Sequence, residues 1–214
     1  MKQSTRQAWR CHRTWLLALV TAAVTITNGS GQVLFSNFGP GLTYDTNDLY
    51  VINSNVTCAL HTPDVQAVQF QPLVQSVFAD AKLALGIYSG TNLLSVYLET
   101  DAGGKPGFII EKIDVTGLKP VFPGSVITAT SLIRPFLVAG VKYWLVAATS
   151  TADTCAGWQF SLGDLATGTN FAHNLLSTSP TGPFTFQSAG LTRPAFEVDG
   201  EPGYNSLFFS FFFE

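Results

Sequence analysis

Four carboxylates set closely together are the side chains whose type and spacing could do chemistry: Glu99, Asp101, Glu111 and Asp114. Glu99 and Asp101 stand two apart in an alternating run, which puts both on one strand face. Two carboxyl groups about 5–10 Å apart across a cleft are what glycoside hydrolysis needs. The solvated face of an ordinary strand carries the same pattern. No other catalytic motif accompanies it. The histidines are His12, His61 and His173. They form no His-Glu-x-x-His, and a catalytic zinc needs about three ligands in one pocket. There is no Gly-x-Ser-x-Gly elbow. Gly103-Gly104-Lys105-Pro106-Gly107 lacks the spacing and the following helix of a phosphate loop. The sequence therefore predicts a non-catalytic protein. The alternative is an extracellular glycan-active hydrolase that uses Glu99 and Asp101.

Binding chemistry has more support. Acids in loops suit calcium, which takes about six to eight oxygens from carboxylates and carbonyls. Asp45 with Asn47 and Asp48 is one such group, and Asp101 before Ala102-Gly103-Gly104 is another. No Asp-x-Asp-x-Asp loop is present, and an Asp side chain equally well bonds its own turn. No cofactor is required, and a structural calcium is the one these acids would fit. Tyr97, Trp144 and Trp158 could stack on sugar rings, as could Tyr44 and Tyr50. Trp144 and Trp158 have apolar neighbours that favour the core, whereas Tyr97 alternates outward with Glu99. Tyr97, Glu99, Trp144 and Trp158 are thus the candidate ligand-binding set. Asn55-Val56-Thr57 matches the glycosylation acceptor pattern.

These side chains must be held by strands, because the dominant hydrophobic period is two. Val77 to Ile87 has an apolar residue at every odd position, with Asp80 and Lys82 among the even ones. Leu94, Val96 and Leu98 alternate with Ser95, Tyr97 and Glu99. Such alternation puts one face in a core and the other in water, as in antiparallel sheets. Val141 to Ala148 is apolar on both faces and reads as a central strand. Turn signals such as Ser89-Gly90-Thr91-Asn92 and Ser179-Pro180-Thr181-Gly182-Pro183 separate the runs. The expected fold is an all-β, antiparallel β-sandwich of jelly-roll type with about nine or ten strands. It would occupy residues 32–200 as one domain.

The 214-residue chain is 46% hydrophobic and only 12% charged, with 19 Gly, 11 Pro and one Met, which argues against a helical bundle. Its net charge of −3 conceals a split. Lys2, Arg6, Arg10 and Arg13 precede every acid, while the chain from Gln32 onward has 7 basic and 14 acidic residues, a net of −7. An acidic body of this kind excludes a nucleic-acid partner. The basic start, the apolar run Trp15 to Val24 and the small residues Gly29-Ser30-Gly31 read as a secretory signal peptide over residues 1–31. That run is too short to span a bilayer, which takes about 20 residues. Cys11 leaves with the leader. Cys58 and Cys155 remain, an even number in an exported chain. They form either a disulfide or two buried thiols, and a Cα separation above about 7 Å would exclude the bridge. Residues 201–214 form an atypical tail containing Leu207-Phe208-Phe209-Ser210-Phe211-Phe212-Phe213. It is also too short to span.

The order of several segments resembles bacterial exported proteins of the choice-of-anchor type, which often carry a PEP-CTERM sorting tail. The matching segments are Asn37-Phe38-Gly39-Pro40-Gly41 with Tyr44, then Tyr97 to Gly107, Leu137 to Ala147, Gly157-Trp158, and Pro194 to Val198. Together they cover nearly all of the chain after the leader. The resemblance implies a β-sandwich held at the cell surface or secreted, with no established enzymatic activity. Its partner would be a surface glycan or an extracellular protein. The chain departs from the pattern at the tail, where only Glu201-Pro202 stands for Pro-Glu-Pro and terminal arginines are replaced by Glu214. The departure favours release over anchoring by sorting.

Overall fold

A computed structural model describes residues 31–54, 58, 62–162, 170–175, 178–186 and 191–202. Most of the leader, His61, the Asn55-Val56-Thr57 triplet and the tail from residue 203 lie outside the described residues. Within them the chain is all-β and antiparallel. The strands are β1 (Gln32–Ser36), β2 (Leu49–Asn53), β3 (Asp64–Phe70), β4 (Ser76–Ser89), β5 (Leu93–Asp101), β6 (Pro106–Thr116) and β7 (Ser125–Thr130). They continue as β8 (Phe136–Leu137), β9 (Tyr143–Thr149), β10 (Cys155–Gln159), β11 (Phe171–Leu175), β12 (Thr185–Phe186) and β13 (Phe196–Pro202). This exceeds the nine or ten strands expected. The two-residue strands β8 and β12 are too short to leave an alternation in the sequence. The last strand also runs two residues past the expected boundary at residue 200.

Pairing gives one continuous order, β1-β13-β4-β10-β2-β3-β9-β5-β6, with β7 and β8 on the other side of β4 and the β11–β12 pair beside β3. The sheet curls. Phe78 and Leu83 of β4, Leu94 and Val96 of β5, Leu145 of β9, Trp158 of β10 and Phe196 of β13 all enter the same buried cluster. Burying that apolar surface is the main stabilising term, at about 25 cal/mol per Å².

β9 is buried throughout, as its two-sided apolar sequence requires. Tyr143, Leu145 and Ala147 enter the main core, while Trp144, Val146 and Ala148 join a second cluster on the outer face with Val65, Ala67, Ala172 and Phe184. β4 corrects the simple alternation. Above residue 80 the odd positions face the core, but lower down Phe78 does so and Val77 does not. The pairing with β13 slips here, from Asp199↔Asp80 to Gly200↔Phe78. A bulge at Ala79 adds one residue to β4 and flips the phase below it. Higher up, Gly86 pairs with Gly157. A Cβ on Gly86 would lie 2.4 Å from the Cα of Val121, so the β6–β7 connection can cross there only over a glycine.

Cys58 and Cys155 are joined by a disulfide with Cα atoms 5.5 Å apart. Cys155 lies opposite Asn53 of β2 and Ser89 of β4. The bridge therefore fastens the segment after β2 to the centre of the sheet.

Candidate functional site

The curl leaves two free edges side by side. β6 pairs with β5 and β7 pairs with β4, and their remaining edges flank a cavity of about 530 Å³. Thr116, Thr128 and Thr130 supply hydroxyls to its lining, Ile127 and Leu132 apolar surface, and Lys112 and Asp114 charge. Alternation explains this mixture. Ile113 and Val115 of β6 and Ala129 of β7 point to the core, which leaves the polar residues between them at the mouth.

Lys112 Nζ lies 3.0 Å from Asp114 Oδ1. Its bond to Asp114 holds the ammonium above the ordinary lysine value. Burial pushes the Asp114 carboxyl up, but the Ser95 hydroxyl, which donates to it at 2.6 Å, and Lys112 outweigh that and hold it below the usual range. Tyr97 stands opposite Lys112 in the β5–β6 register, half-buried against the outer apolar cluster. It forms part of the face beside the groove. Charges on edge strands oppose edge-to-edge pairing with other chains, and Lys112 and Asp114 stand on such an edge.

At the lower end of the seam sits Glu111, which the sequence singled out only as one acid among four. It is buried. Its Oε1 accepts from the backbone N–H groups of Leu132 at 2.6 Å and Ile133 at 3.0 Å, and its Oε2 from the Ser131 hydroxyl at 2.6 Å. One carboxylate thus ties the edge of β6 to the chain that follows β7. No sequence signal identifies this role, because the donors are mostly backbone groups some twenty residues away.

Glu99 and Asp101 share the outer face of β5, as the spacing predicted, but their surroundings differ. Glu99 was expected beside Tyr97 on a solvated face. Instead it is fully buried, opposite Trp144, and among the described residues neither carboxyl oxygen has a hydrogen-bond partner. Burial alone pushes its pKa up to about 8. The outer face of the neighbouring β9 and β3 carries the cluster that contains Phe184, with Tyr97 packed against it, so this side of the sheet is not the solvated one that alternation suggested.

Asp101 is firmly engaged. Burial pushes its carboxyl up, but three donors hold it below the usual range: the Gly104 N–H at 2.9 Å, Trp144 Nε1 at 2.8 Å and Gln69 Nε2 at 2.7 Å. The turn that supplies Gly104 runs from Ala102 to Lys105, with φ of 67° at Gly103 and 88° at Gly104. Two consecutive positive φ angles favour the Gly-Gly pair found there. Asp101 thus caps its own turn and also fixes the indole of Trp144.

Trp144 and Trp158 are fully buried and present no ring face to solvent. Trp158 donates to the Ala195 carbonyl at 2.8 Å. Of the four candidate ligand residues, Tyr97 alone has solvent exposure, and it alone adjoins the groove.

The calcium candidates are not brought together. Asp45 Oδ1 accepts from the Asn47 N–H at 2.8 Å, and Asp45 and Asp48 flank Phe160 just beyond β10. Asp101 ends β5, several strands away in the sheet order. Among the described residues no three His, Cys, Asp or Glu side chains form a metal-holding group. His173 Nδ1 lies 3.7 Å from Asp64 Oδ1. Burial pushes Asp64 up to about 7 and the His173 imidazole down, which favours the neutral form of each.

Fold and groove together define an all-β, antiparallel body with an open seam. Compared with known proteins, the chain matches no family model and no curated sequence. No helix among the described residues is long and apolar enough to cross a membrane.

Proposed function

We propose that this is an exported, non-catalytic β-sandwich protein of the cell surface or extracellular matrix, and that it binds a glycan along the β6–β7 groove. The observation that carries this reading is the composition of the groove. Threonine hydroxyls and the Lys112–Asp114 pair line it together with Ile127 and Leu132. Sugars present hydroxyls on their edges and C–H groups on their faces, so polar groups set in an apolar wall match them. Tyr97 beside Lys112 adds an aromatic flank. A hydrolase is less well supported. Glu99 has no exposed surface, and the acid that lines the groove, Asp114, is already ion-paired.

The test is glycan-array binding of the full chain as exported, followed by titration of any hit against Thr128→Val/Thr130→Val. Weakening of about thirtyfold is expected for the double variant, since each lost sugar hydrogen bond is worth about 1 kcal/mol. No bound glycan would refute glycan recognition. Release of reducing sugar from the hit would refute the non-catalytic assignment. Mass spectrometry of the exported product should place its first residue near Gln32.

A further inference from the structure

The loops at one end of the body form an apolar surface that no described residue covers. The turn after β3, the β5–β6 turn and the chain from β7 to β9 all lie at the end where β4 begins and β9 begins. Hydrogen bonds hold them together: the Gly140 N–H donates to the Pro72 carbonyl, the Phe78 N–H to the Pro135 carbonyl, and Glu111 accepts from Leu132 and Ile133. Leu73 (86% exposed), Phe108 (83%), Leu132 (87%), Ile133 (65%), Phe136 and Val141 project from this end. An apolar patch of this kind on a soluble body marks an interaction surface.

Charge indicates what it meets. Segments 71–75, 102–108 and 131–142 contain Lys105, Arg134 and Lys142 and no acid of their own; Asp101, just before the second segment, feels the Lys142 charge, and the body from Gln32 carries −7. All three cations are exposed; Arg134 is ion-paired to Glu201, and Lys142 acts on Asp101. Exposed apolar side chains rimmed by Lys and Arg are the signature of a surface that sits in the boundary of an anionic bilayer. Both chain ends also join the body here. β1 begins opposite Gly200, and β13 ends at Pro202 opposite Ser76.

We propose that this loop end docks on a lipid bilayer bearing anionic headgroups, with Phe108, Leu132 and Ile133 entering the interface and Lys105 and Lys142 facing the headgroups. Leu132 borders the glycan groove as well, but Lys105 and Lys142 lie outside its lining, so variants at these two test the proposal whether or not a sugar binds in the groove.

The test is co-sedimentation of the full chain with phosphatidylcholine vesicles, with and without phosphatidylglycerol. Phosphatidylglycerol should raise binding, and added salt should reverse the increase. Lys105→Glu and Lys142→Glu should each lower partition at least about fivefold. Leu132→Asp/Ile133→Asp should lower it about tenfold or more. These positions are exposed, and an unchanged circular dichroism spectrum and melting curve would show that the variants fold. Absence of vesicle binding would overturn the proposal. Equal binding by the loop variants and the parent would also overturn it, assigning the binding to the terminal segments instead. A concentration-dependent dimer that Leu132→Asp/Ile133→Asp abolishes, with no vesicle binding, would make the end a self-association surface.

Discussion

Glu99 gives the sharpest test of the fold's electrostatics. Its carboxyl is fully buried without a partner, and burial raises its pKa from 4.5 to about 8. A carboxyl whose native pKa lies above its unfolded value keeps its proton in the folded state while the unfolded chain loses it. Its contribution to stability is whole below the unfolded value and is lost as pH climbs toward the native one. With those two values the loss is about 1 kcal/mol at pH 5 and about 3 kcal/mol at pH 7, a difference of about 2–3 kcal/mol. Glu99→Gln removes the titration while keeping the shape. The amide adds a constant offset of its own, so the change of the gap with pH is the informative quantity. Urea unfolding at the two pH values reads it. With a slope near 2–3 kcal/mol per molar, the variant's midpoint should gain about 1 M on the parent between pH 5 and pH 7. Asp64, pushed up to about 7, titrates in the same window, but variant and parent share it and the difference cancels it. A gap that does not change with pH would show that Glu99 is solvated or compensated, and would refute the account of its burial.

The disulfide and Glu111 can be tested in the same assay. Cys58–Cys155 spans 97 residues, so reduction, or Cys58→Ser/Cys155→Ser, should cost up to about 4–5 kcal/mol by the chain-entropy model. Coincident urea curves for oxidised and reduced protein would refute that cross-link. Glu111→Ala strands the N–H groups of Leu132 and Ile133 and the Ser131 hydroxyl and should cost about 2–4 kcal/mol. Amide exchange should quicken at residues 131–133 in this variant, and unchanged protection there would deny Glu111 its tie across the seam.

The legible part of the fold is the part that depends on local alternation. Leu94, Val96 and Leu98 face the core as their spacing requires, and the two-sided apolar run of β9 is buried on both faces. The bulge at Ala79 was not legible, because one extra residue in a strand leaves every residue type in place and changes only the phase. The burial of Glu99 was hidden for another reason. Strand alternation separates two faces but does not say whether the outer one meets water. Here Phe184, 85 positions along the chain, belongs to the cluster that covers the outer face of β9. Trp144 could be assigned to the core from its neighbours, yet its bond to Asp101 could not, since that depends on the pairing of β5 with β9.

That same pairing separates an acid pair from a catalytic one. Glu99 and Asp101 have the spacing of a hydrolase pair, and their environments drive their pKa values apart, which is how acid and base roles are usually divided. Both shifts nevertheless have causes internal to the fold. Asp101 is held low by its own turn and by Trp144 and Gln69, and these donors occupy the carboxylate that a substrate would need. Glu99 is held high by burial, with no donor to its carboxyl among the described residues. A general acid must touch the group that it protonates. Chemistry at this pair would therefore require the surroundings of Glu99 to open, and opening would hydrate Glu99 and return its pKa toward the ordinary value. The shift that suggests an acid catalyst exists only while the site is closed, which is why the groove at the seam is the better place to look for a ligand.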